Sequence, residues 1–338
     1  MSIPRLSLTR PEYSLNLSPI ERRSGVSVED FERLYRHPQQ PIVLTDGVAE
    51  WPALTEWTFE YFKKAHGSHP VTVYFARGGP YLDNLHSSQP RTVTVAEYLS
   101  LIEQQPDCRV YLGESSILDE LPRLADAAPA PRYLPTDRFM TRRFWLGPAN
   151  TLTAIHKDSI VQVLPICTLF AQIRGHKQFV LAAPDQAPFL YPSPKDPNAS
   201  LVDPEHLDLE KFPLLRQARF LETVLGPGEL LLIPGGWWHL VHALEPCISI
   251  SNDWVEDPLA DMVTRILKTP DPTPMLEAYR ETVTREQIEA GFPGGVPGVA
   301  AALTALPEDA RPLVATLFTA ELREAVREPA PPSARCAA

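Results

Sequence analysis

The chain lacks the sequence features of secreted and membrane proteins. Its four cysteines, Cys108, Cys167, Cys247 and Cys336, show no CxxC or paired spacing, which predicts reduced, mostly buried thiols in a cytosolic protein. No stretch approaches the roughly 18 uncharged apolar residues that a membrane helix needs. The first residues, Met1–Leu6, contain no apolar signal core, so we expect a cytoplasmic protein with no membrane partner.

Basic residues are few relative to acidic ones. The sequence has 31 Lys and Arg against 42 Asp and Glu, a net charge of −11. Nucleic-acid-binding proteins normally carry a basic patch, so this balance disfavours a nucleic-acid partner. A cationic or neutral peptide partner is compatible with it. The hydrophobic content of 44% is ordinary for a globular protein with a core.

Two segments that are far apart in the sequence offer ligands for a metal ion. If Thr151–Asp158 is a strand, His156 and Asp158 point to the same side, because side chains two apart share a face. The second segment, Gly226–His239, has the pattern of a turn, a buried apolar strand, another turn and a strand that opens at His239. Two imidazoles and one carboxylate are the ligand set of non-haem Fe(II) sites, and a β-fold must bring these strands together.

Further short motifs accompany these ligands in a fixed order between about Phe144 and Trp254. They are Thr153–Asp158, Phe170–Lys177, Pro184–Gln186, Leu190–Pro192, Val224–Glu229, Ile233–His239 and Ile248–Trp254, preceded by Pro41–Gly47 and Glu50–Leu54. In order and spacing this set resembles the JmjC and cupin-like branch of the Fe(II)/2-oxoglutarate dioxygenases. Within that branch it resembles the asparaginyl hydroxylase that modifies hypoxia-inducible factor.

The resemblance implies a mainly β fold, the double-stranded β-helix of the cupin and JmjC jelly roll. We expect an α/β N-terminal lead-in over residues 1–110, a catalytic core over 111–257, a C-terminal helical region over 258–328, and a disordered tail over 329–338. The implied cofactor is Fe(II), with 2-oxoglutarate as cosubstrate and O₂ as oxidant. His156, Asp158 and His239 are the implied metal ligands and catalytic residues.

His242 could compete with His239 for the metal. In a strand, His239 shares a face with Val241 and Ala243, whereas His242 points to the opposite face. Glycine and proline residues before His239 also stand as they do in the second cupin motif, which favours His239. We therefore predict a structural role for His242.

The resemblance also implies a pocket for the cosubstrate. Lys177 is expected to pair with the distal carboxylate of 2-oxoglutarate, and the hydroxyls of Thr153 and Tyr111 to hydrogen-bond the same group. Asn252 matches a family position near the iron-bound end of the cosubstrate. A lysine in an apolar strand must have a partner if it is buried, because an isolated buried ammonium is costly. The alternative for Lys177 is an exposed charge at a sheet edge.

The sequence departs from the asparaginyl hydroxylase at two places. A longer segment, Ser159–Thr168, follows Asp158, and Thr168 stands where the hydroxylase has an Asn that helps to bind the cosubstrate. Gly113 stands where the hydroxylase has a Gln that contacts the substrate amide. Both changes argue against asparaginyl specificity and leave the iron and cosubstrate chemistry intact.

Local patterns predict further elements outside the metal motifs. Predicted helices open at Ser27 and Thr94 with capping-box signals and run to Tyr35 and Ile102, and strands are predicted at Pro41–Thr45 and Val71–Tyr74. We expect a surface connection over Leu118–Pro135 and a long polar, substrate-facing loop over Pro192–Asp208. C-terminal helices are predicted at Leu259–Leu267, Met275–Ala290 and Pro312–Val326, with a Gly/Pro break at Gly291–Gly298.

The last predicted helix carries an apolar stripe of Leu313, Leu317 and Leu322, flanked by Val314 and Phe318. Either it packs on its own barrel or it forms a homodimer through the C-terminal helices.

The predicted function is hydroxylation of a protein or peptide side chain, with release of succinate and CO₂. A small chain of this type without reader domains argues for hydroxylation over histone demethylation. One alternative is a hydroxylase of a small metabolite or of a modified tRNA base. Another is a metal-binding cupin module without turnover, against which the complete ligand set and Lys177 argue.

Overall fold

The computed structural model describes residues 6–9, 13–75, 90–106, 108–135, 140–160, 164–256 and, with short gaps, 280–327. Most of the regular structure is β. The strands are β1 (Asn16–Pro19), β2 (Arg22–Arg23), β3 (Ile42–Leu44), β4 (Pro70–Phe75), β5 (Pro90–Thr94), β6 (Val110–Ser115), β7 (Thr141–Gly147), β8 (Leu152–His156), β9 (Ser159–Ile160), β10 (Leu164–Pro165), β11 (Cys167–Arg174), β12 (Lys177–Ala182), β13 (Arg219–Leu225), β14 (Leu230–Ile233), β15 (Trp238–Ala243) and β16 (Cys247–Trp254).

The helices are short and lie mainly outside the run of strands from β7 to β16. They are α1 (Val28–Phe31), which continues as a π-helical turn over Glu32–Arg36, α2 (Ala53–Glu56), α3 (Phe59–Ala65), α4 (Val95–Gln104), α5 (Ile117–Glu120), α6 (Pro122–Ala127), α7 (Gly295–Ala305), α8 (Ala310–Ala315) and α9 (Ala320–Arg327). Short 3-10 segments span Ser7–Thr9, Pro184–Phe189 and Pro213–Gln217. None of the described helices combines the length and the apolar character needed to cross a lipid bilayer.

Two sheets form the framework. The small sheet has five strands in the order β1-β13-β12-β15-β8, and the large sheet has nine in the order β2-β3-β14-β11-β16-β7-β6-β4-β5. From β11 to β16 the chain crosses repeatedly between the two sheets, and only β12 and β13 are consecutive strands of the same sheet. This winding is that of a jelly roll. The prediction of a mainly β, double-stranded β-helix is confirmed.

The core that positions the site lies between the inner faces of the two sheets. From the small sheet, Phe179 and Leu181 pack against Phe170, Leu231 and other residues of the large sheet. The outer face of the small sheet carries a second apolar cluster, in which Leu152, Val180 and Leu240 take part. Side chains of the small sheet therefore alternate between two buried environments, and the inner one is enclosed by both sheets.

The N-terminal residues supply strands to both sheets. β1 pairs in parallel with β13 of the small sheet, and β3 pairs with β14 of the large sheet. The predicted capping signals are present: the Ser27 hydroxyl accepts a hydrogen bond from the Asp30 backbone N–H, and Thr94 and Glu97 form a complete capping box.

Several expected elements are wrong in detail. The segment Leu118–Pro135, expected to be an irregular connection, contains α6 and most of α5, because Leu118, Leu124 and Ala127 are buried. The predicted Gly/Pro break at Gly291–Gly298 includes the start of α7 at Gly295.

The C-terminal helices also differ from expectation. The helix predicted over Pro312–Val326 is divided into α8 and α9 by a turn around Leu317. The helix predicted over Met275–Ala290 is interrupted where Val283 forms a β-bridge with Phe318. The predicted helix Leu259–Leu267 and the predicted disordered tail lie outside the described residues.

The chain divides into two compact units. One comprises Met1–Asp158 and Cys167–Asp253 and holds both sheets. The other comprises Ser159–Ile166 and Trp254–Ala338, with the β9–β10 hairpin and the helices α7 to α9. Of the cysteines, Cys167 and Cys247 are buried, Cys108 is partly buried, and no disulfide joins the described ones.

Candidate metal centre

The two candidate histidine ligands are cross-strand neighbours in the small sheet. β15 pairs with β8 in antiparallel register, and His239 lies directly opposite His156. Their ring centroids are 4.0 Å apart, with the ring planes inclined by 55°. Directly opposed residues of an antiparallel pair have neighbouring side chains on one face, so the pairing register itself brings the imidazoles together.

Asp158 completes the cluster two residues after His156. Its carboxylate oxygens lie 3.3 Å from His156 Nε2 and 3.5 Å from His239 Nε2. One ligand atom from each of the three residues lies within 4.8 Å of the other two. Because the Asp158 side chain is 39% exposed while the His239 side chain is only 6% exposed, one side of the cluster is open. This donor set fits a facial Fe(II) site that keeps open positions.

Backbone carbonyls orient both imidazoles. His156 Nδ1 lies 2.8 Å from the Ala154 carbonyl oxygen, and His239 Nδ1 lies 3.3 Å from that of Trp237. Each Nδ1–H therefore donates to the backbone, which leaves both Nε2 lone pairs directed at the cluster. Hydrogen bonds of this kind fix the tautomer and the ring orientation of metal-binding histidines.

The charges of the cluster also suit a metal ion. Burial raises the pKa of Asp158, but the imidazoles of His239 and His156 outweigh burial and hold this pKa well below its usual range. Burial, together with the neighbouring His156, lowers the pKa of His239 to about 4. The cluster thus offers an ionised carboxylate and a neutral imidazole at neutral pH, which are the protonation states that bind metals.

His242 lies on the other face of β15. It is paired with Leu152 and Gln178, and Leu152 belongs to the outer apolar cluster. Its Nδ1 is buried and has no hydrogen-bond partner among the described residues. The structure thus brings His239, and not His242, together with His156 and Asp158.

Lys177 is enclosed on the same inner face as His239. It is 3% exposed, and it lies on β12 in line with Phe179 and Leu181, opposite Ala243 and Leu225. Its Nζ donates a hydrogen bond to the Tyr111 hydroxyl at 3.0 Å and lies 5.0 Å from the centre of the Phe170 ring. Burial lowers the pKa of Lys177 to about 8. The alternative of an exposed edge charge is wrong.

Thr153 reaches the inner face because of an irregularity in β8. Along β15, His239 and Val241 are two residues apart, whereas their partners His156 and Thr153 are three apart. The extra residue is a β-bulge, which places two side chains an odd number of positions apart on one face. Thr153 therefore shares the inner face with His156.

Asn252 is not brought together with the other predicted site residues. Its amide is fully buried, donates to the Leu169 carbonyl at 2.9 Å and accepts from Arg142 Nε at 2.9 Å. Arg142 in turn donates to the carbonyl of Pro129. Asn252 thus points away from the inner face, on the side of β16 where Ile250 also lies.

Asp253, the next residue, is the one that faces the metal centre. Burial and then the charge of Asp158 raise the pKa of its carboxyl to about 7, so the two carboxyl groups are near each other. Thr168 donates a hydrogen bond to it at 2.8 Å. The sequence analysis missed Asp253. The strand period of two places Asp253 on the same face of β16 as Ser251, and this alternation could have identified it.

Glu114 is a second residue that the sequence analysis missed. It follows Gly113 in β6 with a φ of +53°, at an irregularity where β6 and β7 lose register. Burial lowers the pKa of His156, but Asp158 raises it above its usual value, and the charge of Glu114 raises it further. Glu114 therefore lies near the metal centre. Nothing in the local sequence signals this conformation, which a residue other than glycine rarely adopts.

A groove with a volume of about 400 Å³ adjoins this part of β6. Its lining is rich in hydroxyl and carboxyl groups. Among the residues that line it are Tyr74, Thr92, Gly113, Glu114, Ser116 and Glu120. A surface of this kind favours a polar or cationic ligand over an apolar one.

The expected polar loop lies beside His156. Ala199 forms an isolated bridge with His156, Lys157 N–H donates to the Asn198 carbonyl, and Ser200 N–H donates to the Ile155 carbonyl. The loop therefore covers the edge of β8 that has no strand partner in the described structure. Its role towards a substrate stays a prediction.

Comparison with known proteins gives a consistent family. A model described as "Cupin-like domain" matches residues 28–259. The chain is 32% identical to lysine-specific demethylase 8 of Xenopus tropicalis over 68% of the chain and 51% of that protein. It is 26% identical to the bifunctional peptidase and (3S)-lysyl hydroxylase JMJD7 of Homo sapiens over 67% of the chain and 80% of that protein.

A third relative is relevant to the alternative of a modified tRNA base as the substrate. The chain is 26% identical to tRNA wybutosine-synthesizing protein 5 of Gallus gallus over 78% of the chain and 91% of that protein. The chain spans only about half the length of the demethylase. The predicted resemblance is confirmed by the family match and by the His-Asp-His cluster: the chain belongs to the cupin-like domain family, whose JmjC members are oxygenases that use Fe(II), 2-oxoglutarate and O₂.

Proposed function

We propose that this chain is an Fe(II)- and 2-oxoglutarate-dependent hydroxylase of protein or peptide side chains. The observation that carries the proposal is the pairing, on one inner face, of a three-ligand cluster with a buried lysine. His156, Asp158 and His239 hold the metal from one side, and Lys177 receives the distal carboxylate of the cosubstrate. The ligand cluster alone would indicate only a metal ion, and the buried lysine alone would indicate only an anion. Together they match the two ends of 2-oxoglutarate, which are the oxo acid that chelates the metal and the distal carboxylate.

The contacts of Lys177 support its role towards the cosubstrate. An ammonium that is 3% exposed and is held by one neutral hydroxyl has a large desolvation cost that an incoming carboxylate would offset. Tyr111 already contacts Lys177 Nζ, and Thr153 faces the same enclosed space, so both hydroxyls can donate to that carboxylate. Phe170 and Phe179 exclude water from the pair.

The role of each group in the reaction follows from its position. When bound, Fe(II) with 2-oxoglutarate and O₂ supplies the oxidant that hydroxylates a C–H bond, with release of succinate and CO₂. Backbone carbonyls hold the two imidazoles in place, and the exposed side of Asp158 leaves the cluster open towards a substrate. The enclosed inner face keeps water away from the reaction, and Lys177 fixes the angle at which the cosubstrate enters.

The groove at β6 supports a side chain of a protein as the substrate, and a basic one in particular. Glu114 and Glu120 give the groove an acidic character, and the charge of Glu114 acts on the metal ligand His156. The named activities of two relatives are a lysine-specific demethylase and a lysyl hydroxylase, both directed at a basic residue. The outcome proposed here is hydroxylation, and loss of a methyl group from a methylated lysine is the alternative outcome at the same site.

The test is turnover of the cosubstrate with candidate substrates. The full chain is incubated with Fe(II), 2-oxoglutarate, ascorbate and air, with and without arrays of basic, neutral and acidic peptides. We expect slow succinate formation alone, faster formation with a basic peptide, and a peptide mass gain of one oxygen atom in near-equal amount to succinate. Asp158→Ala should abolish both products.

Two outcomes would contradict the proposal. Absence of succinate under every condition, with iron demonstrably bound, would make the chain a binding module. Stimulation by free amino acids but by no peptide would contradict a peptide substrate.

The role of the groove is tested by Glu114→Gln, which should raise the KM for the basic peptide with little change in kcat. The matched control is Glu29→Gln, at an exposed position of α1.

A modified tRNA base is the second candidate substrate, since the likeness to the tRNA wybutosine-synthesizing protein spans 91% of that protein. The net charge of −11 weighs against it. Total tRNA added to the same assay decides between the two, because stimulation by tRNA in the absence of peptide would favour the base.

A further inference from the structure

Asp158 lies outside the strands that carry the other two candidate ligands. The ladder between β15 and β8 ends with the pair His239 and His156, and Asp158 follows two residues after this last pair. The imidazoles are positioned by the strand pairing and by backbone carbonyls. Contacts outside the ladder therefore determine where the chain carries the Asp158 carboxylate.

Lys157 makes two such contacts on the other side of the chain. His156 and Asp158 both face the metal centre, so Lys157, which lies between them, points to the opposite side. Its backbone N–H donates a hydrogen bond to the Asn198 carbonyl at 2.9 Å. Its Nζ lies 5.0 Å from the centre of the Trp238 ring. Lys157 is thereby tied both to the loop that borders β8 and to β15.

Trp238 offers this ammonium a fixed aromatic surface. It is 1% exposed and belongs to the outer apolar cluster of the small sheet. It is paired with Ala182 of β12 and directly precedes the ligand His239. An ammonium over an indole ring is attracted by the negative face of the ring. The contact between Lys157 and Trp238 therefore links the segment that carries Asp158 to the strand that carries His239.

We propose that Lys157 is a positioning residue of the metal centre, and that its contact with the Trp238 ring holds Asp158 beside the two histidines. The inference rests on the metal centre of the proposed function. Fixing a ligand before the metal arrives lowers the conformational cost of binding, so the contact strengthens metal binding although Lys157 is not itself a ligand.

The charge of Lys157 acts in the opposite direction to this contact. A cation near a metal ion repels it, so removing the charge alone would tighten metal binding. Removing the contact that positions Asp158 would weaken metal binding. The direction of the change in a Lys157 variant therefore distinguishes the two effects.

The test compares two lysines that make the same contact at different places. Lys211 Nζ also lies 5.0 Å from the centre of an aromatic ring, that of Phe212 in the same outer cluster, and neither residue adjoins a metal ligand in the sequence. Lys157→Met should weaken Fe(II) binding by about three- to thirtyfold, the range that one such contact allows. Lys211→Met should change Fe(II) binding less than about twofold. Affinity is measured by competition with a chelator under nitrogen.

Two further variants separate positioning from a general loss of stability. Lys157→Arg keeps the charge and can stack on the ring, so it should bind Fe(II) within about threefold of the wild type. In a Trp238→Leu background, Lys157→Met should change Fe(II) binding less than about twofold, because the ring is already absent.

Hydrogen exchange of the metal-free protein gives a readout that does not depend on a bound ion. The amide that donates to Asn198 should exchange faster in Lys157→Met than in the wild type, because the segment after β8 is held less firmly. Lys211→Met should leave the exchange of this amide unchanged.

Three results would overturn the positioning role and leave the proposed function standing. The first is unchanged or tighter Fe(II) binding by Lys157→Met, since only the charge effect would then remain. The second is an equal loss of affinity in Lys157→Met and Lys211→Met. The third is an undiminished effect of Lys157→Met in the Trp238→Leu background. Failure of the wild type to bind Fe(II) would overturn both the inference and the proposed function.

Discussion

Single side chains decide which of two nearby histidines can bind a metal. His239 and His242 belong to the same strand, yet the first lies beside His156 and Asp158 and the second lies behind the small sheet next to Leu152. The difference comes from the strand period of two, which sends residues three apart to opposite faces.

The metal assignment predicts a clear contrast between two substitutions. His239→Ala removes one of three ligands and should weaken Fe(II) binding by at least about a hundredfold, while His242→Ala should change it less than about threefold. Metal affinity can be measured by competition with a fluorescent chelator under nitrogen. If His242→Ala releases the metal and His239→Ala retains it, the assignment of the ligands is wrong.

Lys177 predicts a pH dependence of cosubstrate binding. Its pKa is lowered by burial to about 8, below the usual value of 10.5, so the free protein carries the charge below pH 8 and loses it above. Affinity for 2-oxoglutarate should therefore be constant up to about pH 7 and fall by up to about tenfold per pH unit above pH 8. Titrations from pH 6 to about pH 9.5 measure the profile.

The control for this profile is Lys177→Arg, which stays charged throughout the range. If the arginine fits and binds 2-oxoglutarate, its affinity should not fall above pH 8. An equal fall in both proteins would mean that another group is responsible.

At the scale of elements, β12 is the central strand on which the site depends. All six of its residues are buried, and it pairs with β13 on one side and β15 on the other. Phe179→Ala should lower the free energy of unfolding by about 3–5 kcal/mol, because it leaves a cavity between the sheets. Val224→Ala, on the neighbouring strand but 42% exposed, should cost below about 1 kcal/mol. Urea unfolding measures both, and equal costs would contradict the described core.

The strands that carry the metal ligands could be predicted because local alternation and motif spacing reflect the strand period directly. The position of Thr153 could not, since the bulge in β8 is defined only by the count of residues on the partner strand. The same limit applies to Asn252 and Asp253: the motif indicated the strand, and the hydrogen bonds of Asn252 to Leu169 and Arg142 determine its face.

Short helices were the least predictable elements. α5 and α6 have four and six residues, too few for local propensity to hold a helix, and they form because Leu118 and Leu124 are buried. α7 begins inside a Gly/Pro-rich stretch because Pro297 falls in its first turn, where the missing N–H costs no intrahelical hydrogen bond.

At the scale of the whole molecule, the sequence leaves open whether the apolar stripe of the C-terminal helices is covered within one chain or in a homodimer. Val314, Leu317, Phe318 and Leu322 are buried within a single chain. A dimer is therefore not needed to cover them, and dimerisation through these helices stays a prediction that would have to use another surface.

This burial predicts the effect of Leu322→Ala. We expect a loss of about 2–5 kcal/mol in stability at every protein concentration and no change in molecular mass. Light scattering and thermal unfolding at two concentrations measure both quantities. A fall in mass, with an unfolding temperature that depends on concentration, would instead indicate that Leu322 contributes to a dimer interface.

The position of β8 has a consequence for how the protein moves. β8 is the outermost strand of the small sheet, tied to β15 on one side and to the loop at Ala199 on the other. An ion held by His156 and His239 fastens this outer strand to its neighbour, so loading the metal should slow hydrogen exchange in the backbone of β8 far more than in β12. Exchange measured with and without Mn(II) tests this expectation. The ion that supports the chemistry would then also hold the edge strand β8 to the sheet, and the metal-free protein would unfold locally at β8 first.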